Sequence, residues 1–168
     1  MAAWQFAFDV VPVAGIVRVH GRMIDVLPEF AMPAPDALFD DADGFSDYWE
    51  GIDNSWMHVL AASVLPLATS WSDEATMYGN EKTDHLQIWE DSVHVRLDCT
   101  NPDLALLAAV AAAAGDANCC LVLRETGRII SPQLDGVADA LRASAASKFV
   151  NNPRAYLESA GRIGREDG

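Results

Sequence analysis

Two stretches near the start of the chain alternate large apolar side chains with smaller or polar ones. Residues 4–10 follow this period of two and stop before Pro12, and residues 15–21 repeat it. Because successive side chains of a β-strand point to opposite faces, the pattern predicts two half-buried strands.

The pattern changes twice before residue 66. Between residues 28 and 54, prolines and glycines interrupt any periodicity among many acidic residues, which predicts either a long irregular loop or a short helix around residues 45–49. From residue 56 to residue 65 the spacing becomes helical, and Pro66 closes the segment. Four apolar side chains are expected to form the buried face of this helix: Trp56, Val59, Leu60 and Val64.

Two hairpins are predicted in the second half of the chain. Residues 86–88 and 93–99 alternate apolar with polar side chains around a turn at residues 90–92. Residues 120–124 and 128–130 flank a turn in which Gly127 supplies the positive φ that such a turn needs.

Three helices are predicted to begin where a polar residue precedes a proline, because the polar side chain caps the helix and proline suits its first position. They cover residues 102–115, 132–149 and 153–161. The first is expected to bury Leu104, Leu107 and Val110. The polar tail after residue 161 is expected to fray.

Together these elements predict an α+β fold, in which an antiparallel sheet built from hairpins has helices packed on one face. We expect a single domain over residues 1–168, with an irregular acidic front half (1–80), a regular back half (84–160) and a frayed tail (162–168). Three leucines are expected where sheet and helices meet: Leu97, Leu107 and Leu141.

The composition predicts a compact protein without a membrane span. Hydrophobic residues are 51% and charged residues 21% of the 168 residues, near the average for globular proteins. The longest apolar run, residues 104–114, is too short to cross a bilayer core of about 30 Å, and the first residues lack the basic segment of a secretory signal. We therefore expect a cytoplasmic protein whose three cysteines are reduced core thiols: Cys99, Cys119 and Cys120.

The formal net charge is −14, from 11 Lys and Arg against 25 Asp and Glu. Nucleic acids and anionic membranes are polyanions, so this charge disfavours both as direct partners and favours a basic protein. Twelve of the acids lie between residues 23 and 81, where Lys and Arg are absent. Such a block is either a solvated loop or a surface that attracts a basic partner.

Familiar catalytic and metal-binding motifs are absent. The sequence contains no G-x-G-x-x-G, G-x-x-x-x-G-K-[ST], G-x-S-x-G, H-E-x-x-H or C-x-x-C pattern. Residues 41–44 imitate part of a calcium loop, but aligning Gly44 with the glycine of that loop puts Phe39 where the first carboxylate is needed. No catalytic residue, cofactor or metal site is therefore predicted.

The first predicted hairpin leaves an alternative open. His85 and His94 are expected on the same side of it as Gln87, Arg96 and Asp98, opposite to the apolar set. One interpretation is a small enzyme that uses His85, His94 and Asp98 for acid–base chemistry. The other, which we favour because no nucleophile or third ligand has a matching spacing, is a solvated face with an Arg96–Asp98 ion pair.

Trp49 and Trp56 flank the end of the dense acidic stretch. Aromatic anchors inside a charged rim are typical of protein interfaces, but these tryptophans are equally compatible with core positions that hold the excursion against the sheet. With the neighbouring acids they form the predicted partner-binding set: Asp36, Asp40, Asp41, Asp43, Asp47, Trp49, Glu50, Asp53 and Trp56.

Three segments of the back half resemble the small acidic immunity proteins of bacterial polymorphic toxin systems. They are VHVRLDCTNP (93–102), CLVLRETGRIISP (120–132) and SAASKFVNNP (144–153). The resemblance covers roughly residues 84–160 and lies in a pattern of strands, caps and helices, without a catalytic signature. It implies a cytoplasmic single-domain inhibitor that binds a cognate toxin and has no active site of its own.

The leading hypothesis is therefore an inhibitor whose acids at residues 36–53 match a basic toxin, for example a nuclease. The second is an accessory or assembly protein in which the same acids keep a homo-oligomer soluble. The enzyme that uses His85, His94 and Asp98 comes third.

Overall fold

The computed structural model describes residues 3–31 and 47–166, with side chains described up to residue 159. The helices and strands, in chain order, are β1 (Gln5–Pro12), α1 (Val13–His20), α2 (Ser55–Val64), β2 (Leu67–Ala68), β3 (Thr76–Gly79), β4 (His85–Ile88), β5 (Val93–Asp98), α3 (Leu104–Asp116), β6 (Cys119–Leu123), β7 (Ile129–Ile130), α4 (Leu134–Ala143), α5 (Ala145–Asn151) and α6 (Pro153–Glu166). A short 3₁₀ helix spans Pro28–Phe30.

The seven strands of the described residues form one antiparallel sheet in the order β2-β3-β4-β5-β1-β6-β7. Strand β1 lies inside the sheet, where Phe6 pairs with Leu97 of β5 and Phe8 pairs with Leu123 of β6. The predicted α+β fold with an antiparallel sheet is confirmed. Since β1 comes from the front half and its neighbours from the back half, the two halves share this sheet.

Both predicted hairpins are present, as β4 with β5 and as β6 with β7. Gly127 adopts a φ of 70° in the second turn. A Cβ at this position would also meet the backbone oxygen of Leu27 at 2.3 Å. Both the backbone conformation and the lack of space therefore require glycine.

The prediction of a second strand at residues 15–21 is wrong, because Val13–His20 forms helix α1. Pro12 has no N–H with which to continue the sheet ladder, and the chain turns away from the sheet after it. In the helix Ile16 is buried, whereas the valines that produce the apparent alternation, Val17 and Val19, are exposed.

Apolar side chains pack on both faces of the sheet. The larger cluster lies between the sheet and helices α2, α3, α4 and α5, and it contains the three predicted core leucines, which are confirmed as buried. Helix α1 and the 3₁₀ helix lie against the opposite face, so only the later helices share one face. There they form a smaller cluster with the ends of β1 and β6: Val11, Ile16, Leu27, Phe30, Tyr48, Cys120 and Val122.

Helix α2 occupies the predicted segment but buries a different face. Met57 and Ala61 are buried in the core, whereas Val59 and Val64 are exposed. Apolar residues surround this helix on most of its circumference, so their spacing does not select which side meets the sheet.

Helix α3 begins and ends later than predicted. Asp103, not Asn101, caps it, and the Asp103 carboxylate accepts the backbone N–H of Leu106. The helix continues past Gly115, and the chain leaves through Asn118, which adopts a positive φ of 54°. Asparagine tolerates this conformation better than most residues, so glycine is not needed at the helix end.

The helix predicted over residues 132–149 is two helices, α4 and α5. Ser144 separates them with an extended backbone, and its hydroxyl accepts the N–H of Ser147 at the start of α5. A serine at a helical position can cap a new helix in this way, which a hydrophobic repeat does not reveal.

Three further differences lie outside the core. Helix α6 continues to Glu166, beyond the end predicted at residue 161, while residues 167–168 lie outside the described residues. The short strands β2 and β3, at one side of the sheet, were not predicted. Of the expected short helix at 45–49, the first two residues lie outside the described part and residues 48–50 form a turn.

The cysteines are buried free thiols, as predicted. Cys119 belongs to the larger apolar cluster and Cys120 to the smaller one, so adjacent thiols lie on opposite faces of β6. Burial raises the pKa of Cys119 to about 11 and that of Cys120 to about 12. In the described part of the chain, no helix has the length and apolar character that a membrane crossing requires.

Two leucines of α3 provide a test of how this helix packs. Leu107 is 1% exposed and Leu104 is 49% exposed. We expect Leu107→Ala to lower the free energy of unfolding by about 2–5 kcal/mol, because it leaves a cavity in the core. Leu104→Ala is the matched control and should change it by less than about 1 kcal/mol. Equal effects of the two variants in denaturant titrations would show that α3 is rotated about its axis.

Candidate functional site

One face of the sheet carries polar side chains on its central strands, beside the smaller apolar cluster. The predicted side of the first hairpin is correct, since register pairs His85 with Arg96 and Gln87 with His94. This face is not the solvated surface that the sequence favoured. Four of its polar side chains are buried: Gln5, Asp9, His85 and Gln87.

His85 is buried and contacts Gln87 of the same strand. Its Nδ1 accepts a hydrogen bond from the Gln87 amide at 3.5 Å. Its Nε2 has no hydrogen-bond partner among the described residues. Burial, and secondarily the positive charge of Arg96, lowers the pKa of His85.

The hydrogen bonds of Asp98 among the described residues go to residues other than the two histidines. Its carboxylate accepts the backbone N–H and the hydroxyl of Thr100, and its own N–H donates to the Asp84 carboxylate at 2.9 Å. Burial raises the pKa of Asp84. In the described part of the chain, Asp98 forms no salt bridge with Arg96. The structure therefore does not bring His85, His94 and Asp98 together.

His94 instead contacts Asp9 of β1 and Arg124, which follows β6. The Asp9 carboxylate forms a salt bridge with Arg124 and contacts His94 Nδ1, and Arg124 Nη2 also donates to Asp9 Oδ1 at 3.2 Å. We call these three residues the Asp9 cluster. The Asp9 side chain is only 1% exposed, and a buried carboxylate is tolerated only with such partners.

The position of the ring proton decides what His94 offers to solvent. Nδ1 lies beside Asp9 and also 2.8 Å from Arg124 Nη2, but it can either donate to the carboxylate or accept from the guanidinium. Because a buried carboxylate needs donors, we assign the proton to Nδ1, directed at Asp9. In the neutral ring Nε2 is then a free acceptor, with no hydrogen-bond partner among the described residues.

A cavity of about 410 Å³ lies next to this ring. We call it the His94 cavity. It is bounded by the Asp9 cluster, by Phe30, Tyr48 and Trp49, and by the β4–β5 turn with Asp91. The Tyr48 hydroxyl donates to Glu29 and lies 3.0 Å from His20 Nε2, so two further side chains hold this wall in place.

A wider acidic groove of about 980 Å³ shares residues with the cavity. Its carboxylates come from three separate parts of the chain, and neither lysine nor arginine lines it: Asp47, Glu50, Glu74, Glu90 and Asp91. Glu50 forms a salt bridge with Arg18 at 2.8 Å. Among the described residues, no salt bridge reaches the other four.

The predicted partner-binding residues have different positions. Asp36, Asp40, Asp41 and Asp43 lie outside the described residues. Asp47, Trp49 and Glu50 line the acidic groove. The two remaining residues, Asp53 and Trp56, do not line it.

The tryptophans serve mainly as core residues. Trp49 is 3% exposed and Trp56 packs partly buried against the larger cluster. The Asp53 carboxylate accepts hydrogen bonds from the backbone and hydroxyl of Ser55 at the start of α2, which lowers its pKa. The exposed tryptophan of this region is Trp71, which is 67% exposed and lies against Trp89 at a ring distance of 5.5 Å.

Sequence reasoning missed Asp9 and Arg124 as site residues, and it missed four residues that line the groove: Glu74, Trp89, Glu90 and Asp91. Asp9 is separated from His94 by 85 positions, and only the pairing of β1 with β5 brings them together. One signal was present, because an aspartate interrupts an otherwise apolar strand. A charge in a buried strand requires a partner elsewhere in the fold.

Comparison with known proteins gives no name to this site. No family model, curated protein or solved structure matches the chain. In the part of the chain that the structure describes, there is also no group of three or more His, Cys, Asp or Glu side chains that fits a metal ion. The site must therefore be interpreted from its own geometry.

The Asp9 cluster predicts a large effect of removing its cation. Arg124→Met should lower the free energy of unfolding by about 3–5 kcal/mol, because it leaves the Asp9 carboxylate buried with only His94 as partner. Adding Asp9→Asn should restore part of this loss in a double-mutant cycle. Arg18→Met breaks an exposed salt bridge instead and should cost less than about 1 kcal/mol. Additive effects of the Asp9 and Arg124 variants in urea titrations would contradict the pairing.

His85 predicts a pH dependence of stability. Burial lowers the pKa of His85 in the folded state, so the unfolded state takes up a proton first as the pH falls below about 6.5. The stability associated with neutral His85 is fully present above that pH and is lost below it. In His85→Gln the free energy of unfolding should therefore fall less between about pH 7 and pH 5 than in the natural protein. Parallel curves would mean that His85 titrates equally in both states.

Proposed function

We propose that this protein is a cytoplasmic, non-enzymatic inhibitor of the immunity type, which binds a basic partner protein in the acidic groove. The observation that supports it is a set of four groove carboxylates that form no salt bridge among the described residues: Asp47, Glu74, Glu90 and Asp91. Like charges in one depression repel each other and weaken the folded state. A basic partner removes that repulsion when it binds.

The surroundings of the groove support a protein partner. Trp49 and Trp89 line the groove, and the exposed Trp71 lies against Trp89. Interfaces combine aromatic side chains with a charged rim, in which the charges accelerate association and the buried aromatic contacts slow dissociation. We therefore propose Trp71, beside the groove, as the aromatic anchor of the interface. The sequence analysis had considered Trp49 and Trp56 for this role.

The surplus of negative charge also favours a protein over a nucleic acid as the partner. A groove lined by five carboxylates and no basic side chain repels phosphate. A toxin enzyme that acts on nucleic acid has a basic substrate surface, which the acidic groove would cover. The proposal thus includes a cognate nuclease toxin as the partner.

The test begins with the tagged protein purified from its native cells at low salt, and with a basic protein recovered in stoichiometric amount. Association with that purified partner is then followed by surface plasmon resonance. We expect the association rate to fall steeply as salt passes about 0.15 M, where the Debye length is about 8 Å. The triple variant Glu74→Gln, Glu90→Gln, Asp91→Asn should associate at least about tenfold more slowly.

The control variant has the same change in net charge at exposed carboxylates outside the groove: Asp135→Asn, Asp139→Asn and Glu158→Gln. It should associate within about twofold of the natural rate. The partner's enzymatic activity should be lost in the complex. An association rate that changes neither with salt nor in the triple variant would contradict the proposal. If instead the protein self-associates in light scattering and recovers no partner, the assembly-protein alternative is supported.

A further inference from the structure

The His94 cavity is a second depression within the proposed interface. It shares Asp47, Trp49 and Asp91 with the acidic groove, so the two depressions adjoin each other. A partner segment that lies in the groove can therefore direct one side chain into the cavity. What that side chain must be follows from the charges, the walls and the hydrogen-bonding groups of the cavity.

The charge of the cavity excludes an acidic side chain. Its ionisable lining consists of three carboxylates, Asp9, Asp47 and Asp91, and one guanidinium, Arg124. With His94 neutral, the formal charge is three negative minus one positive, or −2. Arg124 is already paired with Asp9, which leaves the two outer carboxylates without compensation among the described residues.

The walls of the cavity suit a planar cation. Phe30, Tyr48 and Trp49 are buried aromatic residues that line it. The Arg124 guanidinium of the chain itself lies 5.8 Å from the centre of the Phe30 ring, so this wall already combines an aromatic ring with a guanidinium. A cation beside aromatic faces gains further attraction when water is partly excluded.

The hydrogen-bonding groups of the cavity call for a donor. With the proton of a neutral His94 ring assigned to Nδ1, Nε2 is an acceptor, and it has no hydrogen-bond partner among the described residues. The Asp91 carboxylate accepts only the hydroxyl of its neighbour Ser92. A guanidinium has five N–H donors and no acceptor, which matches these groups.

We infer that the His94 cavity receives a cationic side chain of the basic partner, an arginine in the first place, between its aromatic walls and the carboxylates of Asp47 and Asp91. This inference rests on the proposed function. It adds a specific pocket to an interface that the groove alone would make only electrostatic.

The probe for this inference is the capped tripeptide acetyl-Gly-Arg-Gly-amide, so the natural partner is not needed. Binding is followed by the NMR signals of the histidine rings, with the His94 signals identified by their absence in His94→Gln. We expect the arginine peptide to shift the His94 signals with millimolar affinity. Peptides with citrulline or glutamate in place of arginine should bind at least about tenfold more weakly, because they lack the cation.

Two adjacent residues provide a matched pair of variants. Asp91 lines both the cavity and the groove, whereas Glu90 lines only the groove. Asp91→Asn should weaken binding of the arginine peptide about tenfold, whereas Glu90→Gln should weaken it no more than about twofold. Circular dichroism checks that both variants fold.

Three results would overturn the inference: no shift of the His94 signals at about 10 mM arginine peptide, equal binding of the citrulline or glutamate peptide, or equal effects of the two variants. A fourth peptide carries lysine in place of arginine. If it bound more strongly than the arginine peptide, the cavity would still be a site for a cationic side chain, but for an ammonium group instead of a guanidinium. The proposed function is judged separately, because groove variants can slow the natural partner even when no peptide enters the cavity. Failure of both experiments would remove the acidic groove as an interface.

Discussion

The buried carboxylate of Asp9 is the constraint on which this structure depends most. It lies in a strand whose eight residues are all buried, and a charge in that position destabilises the fold unless cationic or donor groups reach it. Those groups come from both neighbours of β1, as His94 on β5 and as Arg124 after β6. The same electrostatic requirement therefore joins the adjacent strands β5, β1 and β6 and places a histidine at the wall of a cavity.

The helices cover the two faces of the sheet unequally, and this difference determines where the His94 cavity lies. Helices α2 to α5 cover one face with a continuous apolar layer. On the other face, α1 and the 3₁₀ helix build a smaller cluster at the ends of β1 and β6. The His94 cavity lies between that cluster, represented by Phe30 and Tyr48, and the β4–β5 turn. Close packing at this end depends on Gly15, because a Cβ there would meet the Tyr48 backbone oxygen at 1.9 Å.

Charge is arranged differently in the two depressions. In the Asp9 cluster, carboxylate, guanidinium and imidazole balance one another within hydrogen-bonding distance. In the acidic groove, the Asp47 carboxylate accepts a backbone N–H and the Asp91 carboxylate accepts a hydroxyl, and only Glu50 forms a salt bridge among the described residues. The balanced cluster gives the wall a fixed geometry, and the unbalanced groove creates a field that extends into solvent. A binding site of the proposed kind requires both properties.

The sequence alone determined the elements that depend on local patterns. Alternation predicted both hairpins, and Gly127 marked the second turn, because these signals are complete within a few residues. It also determined the charge, the buried thiols and the core leucines. Only the tertiary structure decided the rest. It placed Val13–His20 in a helix, chose which face of α2 is buried, and joined Asp9 to His94 across 85 positions. Each of these outcomes depends on contacts between distant segments, and a local pattern carries no information about which strand its residues will meet.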